Sequence, residues 1–508
     1  MMAALVALGA LSAVELLMYA PLVWRAHRPL AVVLVILLAF DSGALFAANM
    51  SICGGLVLLV ALYRIFNLLR VAGGQRQTEY LRRKAFLTTW SLLLYQAVLL
   101  AAEWGFSLVH ASRYTALITW ALATLVFALV LLASTLRNLR HTIAPAVTNN
   151  FSDKELPSIS VCIPARNETA ALEACLRSLI ASDYPKLEIL VLDDCSQDRT
   201  AEIIRSFAHD GVRFIAGVEP SGSWLAKNWA YQQLSEEANG ELLVFCGVDI
   251  TWGVGALRAL VTTMLHKRKA MMCVIPTNRV QSGQGIRFST LLQPIRYAWE
   301  MCLPRRRFQR PPILSSCWIV RRELLQQSGG FAADTNSIAP EGNLARAAAR
   351  RDGYSFVRSD TSVTAVSQKL ARDQWDTTLR TRYPQLRRRP ELVLLLTAIQ
   401  CGGLLAPLGI FIGSCVAGSW VLAAVSGIAS ALLLFVYCLV VRLTYRRFLW
   451  RSLILGPIAV LLSIILQHYS MERYEFSDVL WKGRNVCIPV MQVIPQLPKL
   501  QSNPSHVN

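Results

Sequence analysis

Three stretches of the chain place chemically capable side chains directly after short runs of aliphatic and β-branched residues. Arg166, Asn167 and Glu168 follow ISVCIP at 159–164, Asp193 and Asp194 end LEILVLDD at 187–194, and Asp249 ends ELLVFCGVD at 241–249. In an open parallel sheet, ligands bind outside the carboxyl ends of the strands, near the point where strand order reverses, so these groups are expected to converge on one edge. Acids gathered there can bond a uracil or a ribose, or hold a divalent cation between diphosphate oxygens. A turn or helix cap is the plainer use of Asp193 or Asp194. Neither GxGxxG nor GxxxxGKS/T occurs at these turns, so nothing supports a dinucleotide fingerprint or a P-loop.

The elements that must position these residues follow from the pattern around them. Short β-branched runs alternate with amphipathic helical stretches, which predicts a mainly parallel α/β sheet with helical crossovers. Strands are expected at 159–164, 187–194, 212–217, 241–249 and 270–276, with helices over 168–181, 199–208 and 254–267. Asp198 is placed to cap the second of these helices.

The runs PARNE (164–168), LVLDDCSQDRT (190–200), WLAKNWA (224–230) and FCGVD (245–249) resemble the family 2 glycosyltransferases. The membrane-integral members acting on ceramide, hopanoids and carotenoids are the most similar in pattern. SGGF (328–331), PEGNLARAAARRDGY (340–354), LRTRYPQL (379–386) and WKGR (481–484) continue in that family's order. The resemblance implies a GT-A, Rossmann-like nucleotide-sugar domain between transmembrane segments, covering about 158–386 plus the tail motif.

That resemblance also implies roles. Pro164, Arg166, Glu168, Asp193 and Asp194 would bind the nucleotide-sugar, and Lys227 would face its diphosphate. Asp249 corresponds to the last acid of the family's DxD metal motif, with Gly247 in place of the first. One carboxylate can still hold Mg2+ or Mn2+, because such ions keep waters and substrate phosphates as further ligands. Glu341 falls where the family has its catalytic base, although an acid in a first helical turn is also favoured by the helix dipole alone. In LRTRY the family's QxxRW loses its glutamine, leaving Arg382 to clamp phosphate and Tyr383 to line the sugar site.

The flanks are of a different composition. Hydrophobic residues make up 54% of the chain and charged ones only 16%, too apolar for an ordinary soluble domain. A membrane span needs about 20 apolar residues. Five segments qualify within 1–140, at about 3–24, 29–48, 51–69, 86–108 and 114–136. Three more lie within 391–468, at about 391–414, 419–442 and 448–468, and the last, with Arg451 and Gly456-Pro457, is a candidate re-entrant segment. Basic loops at 25–28, 70–85 and 137–141 alternate with nearly uncharged ones, placing the middle domain, 155–386, on the cytoplasmic side. Residues 285–305 suit an amphipathic helix in the membrane interface or a helix of the domain core. The remaining 469–508 reads as a short cytosolic tail. Glu15, Asp41 and Glu103 fall inside expected spans, with Arg64 as a possible partner, and are either functional groups or interhelical pairs.

The net charge of +19 sits at the ends of apolar runs and in 305–389, and no zinc-finger, RNP or basic-zipper pattern accompanies it, so nucleic acid is not an expected partner. The twelve cysteines include no CxxC and read as small buried thiols. The expected function is inverting transfer of a sugar, UDP-linked by expectation, to a hydroxyl of a membrane lipid or lipid-linked acceptor, with a divalent cation. A processive polysaccharide synthase and a non-catalytic membrane protein with a degenerate transferase domain are the alternatives.

Overall fold

The computed structural model describes residues 2–19, 23–48, 52–73, 113–142, 151–220, 224–278, 289–303, 311–360, 363–446, 452–475, 479–482 and 484–487, with parts of 82–100. The chain begins with helices α1 (Met2–Met18), α2 (His27–Ala48), α3 (Ile52–Gly73) and α4 (Arg113–His141). The α/β unit follows: β1 (Ile159–Ala165), α5 (Thr169–Ile180), β2 (Leu187–Asp193), α6 (Thr200–Ser206), β3 (Val212–Ala216), α7 (Ala226–Glu237), β4 (Leu242–Cys246) and β5 (Ile250–Trp252). Its second half runs through α8 (Ala256–His266), β6 (Met271–Ile275), β7 (Thr277–Asn278), α9 (Ser289–Met301), β8 (Cys317–Arg321), α10 (Arg322–Gln327), α11 (Glu341–Arg350), β9 (Tyr354–Arg358), β10 (Ala365–Ser367) and α12 (Ala371–Gln385). Helices α13 (Pro390–Ile399), α14 (Ala406–Val416), α15 (Trp420–Tyr445) and α16 (Ser452–Glu475) and the hairpin β11 (Leu480–Trp481), β12 (Arg484–Asn485) complete the described chain.

Seven strands form one sheet in the order β3-β2-β1-β4-β8-β6-β9. β1 pairs in parallel with β2 on one side and with β4 on the other, so strand order reverses at β1. β8 runs antiparallel to both β4 and β6, which makes the sheet mixed. This is the α/β class expected, in its GT-A-like form. Alternate residues of a strand face opposite sides, and both faces are covered here. Ile159, Val161 and Ile163 of β1 join one buried layer with Leu172, Leu176 and Leu260, while Cys162 joins the other with Leu234, Phe245 and Trp318. Three strands form a second sheet in the order β5-β10-β7, with β5 following the turn after β4. The strand expected to run to Asp249 ends at Cys246, because Gly247 N bonds Ser316 O at 3.0 Å and Ile250 N bonds Gly247 O at 3.1 Å, closing a turn.

Six of the described helices are long and apolar enough to cross a membrane: His27–Leu45, Gly54–Gly73, Tyr114–His141, Pro390–Val416, Trp420–Tyr445 and Leu453–Glu475. Their outward faces carry Phe40, Val416 and Ile454 at 81%, 87% and 76% exposure, a surface suited to lipid rather than water. The segment expected at 3–24 is helical only to Met18, 17 residues, and a 3-10 turn at Val23–Ala26 follows it. Of the segment expected at 86–108, residues 88–97 and a few neighbours are described and are helical; Glu103 lies outside the described residues. The helix expected at 448–468 runs instead from Ser452 to Glu475, so the tail expected from 469 begins only after seven further helical residues. A π-turn at Gln400–Leu405 joins α13 to α14, where a Cβ on Gly402 would lie 2.8 Å from the ring of Trp120, whose Nε1 donates to Gly402 O at 3.0 Å.

Among the intramembrane charges, Arg64 donates to Glu15 at 3.1 Å through Nε and to Gln96 Oε1 at 2.7 Å, both buried. Residues 285–288 lie outside the described ones. Helix α9 is wedged between α12, α15 and α16, with Leu291 and Ile295 packed on Ala459, so protein covers its apolar side.

Candidate active site

A cavity of about 640 Å³ opens at the carboxyl ends of β1 and β4, where strand order reverses. Pro164, Glu168, Lys227 and Asp249 line it. Arg166, Asp193, Asp194, Glu341, Arg382 and Tyr383 do not.

The loops after β1 and β2 lock together. Asn167 adopts a left-handed backbone, φ 50°, which asparagine tolerates better than most residues. Its amide N donates to Ser196 Oγ at 3.1 Å, and its side-chain oxygen accepts from Gln197 N at 2.9 Å. Arg166 staples the arrangement, donating to Asp194 O at 2.5 Å, Cys195 O at 3.0 Å and Lys482 O at 3.1 Å. Asp193 accepts from Ser196 N at 3.2 Å, the turn role that was its plainer reading. Asp194 is buried and receives both its bonds from Arg484 Nη1, at 2.6 and 2.7 Å. Burial nevertheless pushes the Asp194 carboxyl upward, against the pull of Arg484. Glu168 pairs with Lys482, and burial pushes it up as well. Asp198 accepts from Thr200 N at 3.0 Å at the start of α6.

Asp249 sits in the turn after β4. Its backbone oxygen accepts from Gln368 N at 2.7 Å and its Oδ2 from Ser367 Oγ at 3.2 Å, so β10 fixes its direction. Lys227, Arg296, Lys369 and Arg380 also line the cavity. None of the four forms an ion pair with a carboxylate among the described residues. Lys227 lies 5.0 Å over the ring of Tyr231, and Arg380 lies 4.8 Å over that of Trp481. Burial, then the neighbouring positive groups, draw the ammonium groups of Lys227 and Lys369 down to about 8 in spite of Glu341 and Asp249 respectively. Among the described residues no cluster of three or more His, Cys, Asp or Glu could hold a metal. Asp249, one of four acids lining the cavity, fits a cation whose other ligands come from a diphosphate and water.

Glu341 starts α11 and is fully buried. Ser315 Oγ donates to its Oε1, while Oε2 has no partner among the described residues. Ser315 itself lines the cavity, so one hydroxyl separates Glu341 from that space.

The assignments of Arg382 and Tyr383 are corrected. Asp373, Asp376, Thr377, Arg380 and Thr381 face the cavity, the stripe that a helix of 3.6 residues per turn presents. Arg382 and Tyr383 fall on the opposite side, against α16. Arg382 donates to Ser463 Oγ at 2.7 Å, in a buried network with Gln400 and Gln467, and lies 5.3 Å over Trp299. Tyr383 OH donates to Glu475 at 2.7 Å and is fully buried. These two tie the α/β unit to the membrane-length helix. Lys369, Arg296, Arg380 and Ser315 escaped sequence reasoning; only Arg380 carried a signal, its helical spacing from Asp373 and Asp376.

The Glycosyl transferase family 2 profile matches residues 160–329. The chain is 27% identical over 205 residues to the probable glycosyltransferase YdaM of Bacillus subtilis, covering 38% of this chain and 46% of that protein. It is 30% identical over 159 residues to a 4,4'-diaponeurosporenoate glycosyltransferase of Staphylococcus aureus, covering 30% and 40% respectively. The chain thus spans less than half the length of these curated relatives. Among solved structures it is similar to the mannosyltransferase PcManGT from Pyrobaculum calidifontis in complex with GDP-Man and Mn2+, at 19% identity and a TM-score of 0.43, covering 69% of this chain and 99% of that one. The ends of β1 and β4, where strand order reverses and the cavity opens, lie within the residues 160–329 that match the Glycosyl transferase family 2 profile.

Proposed function

We propose that the chain transfers a sugar from a nucleotide-sugar, of the UDP-linked type, to a hydroxyl of a membrane lipid, with inversion at the anomeric carbon. The observation that carries this reading is that one strand-end cavity holds the Asp249 carboxylate together with four cations that form no ion pair among the described residues. A diphosphate is the ligand that such a charge distribution suits: the cations neutralise its oxygens, and a divalent cation held by Asp249 would supply further positive charge to the leaving group.

Glu341 is the base. Ser315 bridges it to the cavity, so the acceptor hydroxyl gives its proton to Ser315 Oγ as Ser315 passes its own to Glu341. The deprotonated oxygen attacks the anomeric carbon, and the bond to the nucleoside diphosphate breaks. Lys227, Arg296, Lys369 and Arg380 hold charge that grows on that leaving group, the form of stabilisation that counts most in such transfers.

A lipid acceptor is favoured by α9. Its Arg296 lines the cavity while its Leu291 and Ile295 pack on membrane-length α16, so one helix joins the reaction space to the apolar block. The relative named for 4,4'-diaponeurosporenoate supports the same class. The basic loops of the sequence favour the cytoplasmic side of the cell membrane for this face.

The test incubates membranes carrying the protein with labelled UDP-sugars and Mg2+ or Mn2+, then partitions them between organic and aqueous phases. Label in the organic phase that is lost in Asp249→Ala and Glu341→Ala is the expected result. Polymer in the aqueous phase would instead make the protein a synthase. Nucleotide binding without turnover of any sugar would make it a non-catalytic binder.

A further inference from the structure

The hairpin β11–β12 lies directly across the edge where the nucleotide is expected. Lys482 pairs with Glu168 and donates to Arg166 O at 2.7 Å, while Arg484 bonds Asp194 through both oxygens and Glu219 at 2.9 Å. The hairpin is docked rather than loose. Val479 and Val486 are bonded to each other at 2.9 Å and buried with Leu225, Tyr383 and Met471. It follows α16, so the last membrane-length helix delivers these two cations to the strand ends some 290 residues away in sequence from Asp194.

Charge shows what the hairpin changes. Six cationic and four anionic side chains line the cavity, and Lys482 and Arg484 are two of the six. Without them the wall would be neutral on balance, and Glu168, which feels Asp249 and Asp373 as like charges, would face the donor uncompensated. Buried Asp194 would also lose the only ion-pair partner it has among the described residues. A nucleoside diphosphate entering beside bare carboxylates meets repulsion that grows as water is excluded.

We propose that this hairpin is a working wall of the donor site, in which Lys482 and Arg484 cancel the carboxylates of Glu168 and Asp194 and supply the cavity's net positive charge. A nucleoside diphosphate therefore binds against the segment that follows α16. This rests on the donor reading of the cavity given above. Arg484 acts as a positioning residue, holding Asp194 in one orientation, and Lys482 as a neutralising one.

The experiment uses the full chain in lipid nanodiscs and measures equilibrium binding of radiolabelled UDP and GDP at low and high salt, beside thermal unfolding. Lys482→Met and Arg484→Met should each weaken binding roughly tenfold, the effect of one unit charge at this range. Each should also flatten the salt dependence, which a merely structural wall would leave in place. The double variant Glu168→Gln with Lys482→Met removes both members of a pair, restores the charge balance and should recover affinity. It keeps the test open if Lys482→Met alone unfolds. Unchanged affinity and salt dependence in the single variants, or no recovery in the double one, would overturn the hairpin's role while leaving the donor site standing. A wild-type chain that binds neither nucleotide would overturn both.

Discussion

A Cβ built on Gly247 would stand 2.6 Å from Asp249 Oδ1, so the carboxylate of Asp249 occupies the space that a side chain at position 247 would need. Ser367 holds Asp249 over the glycine, which stands where the resembled motif has its first acid. Restoring the acid is expected to harm the site. Gly247→Asp should displace Asp249 against an overpacking cost of about 1–3 kcal/mol. It should raise the divalent-cation concentration needed for half-maximal transfer, and Gly247→Ala should do so to a smaller degree. A cation titration checks this; a lower half-maximal concentration in Gly247→Asp would show that the two-acid arrangement is available after all.

Two arginines of one helix, two positions apart, should separate cleanly. Arg380→Met removes a cavity cation and should lose roughly ten- to a hundredfold in donor KM and turnover, the effect of charge-assisted bonds worth about 1.5–3 kcal/mol. Arg382→Met removes the bond to Ser463 and the contact with Trp299, and should lower thermal stability by about 1–3 kcal/mol with donor KM little changed. Donor titrations and thermal unfolding of both variants decide the matter, and a KM effect in Arg382→Met alone would reverse the assignment.

How much of this was legible in the sequence depends on the range over which each signal acts. The strands were, because β-branched runs such as ISVCIP and LEILVLDD bury both faces and announce themselves locally. Asp249 was as well, since it follows such a run. The side of α12 that meets the cavity was not: Arg380 and Arg382 are equally basic, and only the packing of α12 on α16 decides which one turns inward. The partners of Asp194 and Glu168 were equally hidden, because Arg484 and Lys482 reach them from the far end of the chain. The fit at Gly247 was hidden too, because it depends on the rotamer of a side chain two residues on.

The lysines predict opposite pH trends for binding and stability. With Lys227 and Lys369 at about 8, both cations are lost as pH rises through that value, and nucleotide affinity should fall there. Stability runs the other way. A lysine whose folded value is depressed binds fewer protons folded than unfolded between about 8 and its ordinary 10.5, so the free protein gains stability as pH rises through that window. Lys369→Met should therefore stabilise the protein most below pH 8, with the gain fading toward 10.5, while flattening the pH dependence of UDP affinity. Unfolding and binding profiles of wild type and variant, taken on the same pH series, check both signs.

Glu341 offers the sharpest separation of chemistry from binding. Its Oε1 accepts from Ser315 Oγ and its Oε2 is buried without a partner among the described residues, an arrangement that costs stability. Glu341→Gln keeps an oxygen to accept from Ser315 and keeps the shape, yet cannot take up a proton. Turnover should fall by about 10²–10⁴, the range of general-base catalysis, with nucleotide affinity unchanged. Ser315→Ala should lower turnover too, because it breaks the bridge from the cavity to the base while leaving the carboxylate in place. If Glu341→Gln transfers sugar at the wild-type rate, Glu341 is a packing residue at the start of α11, and the proton must leave by another group.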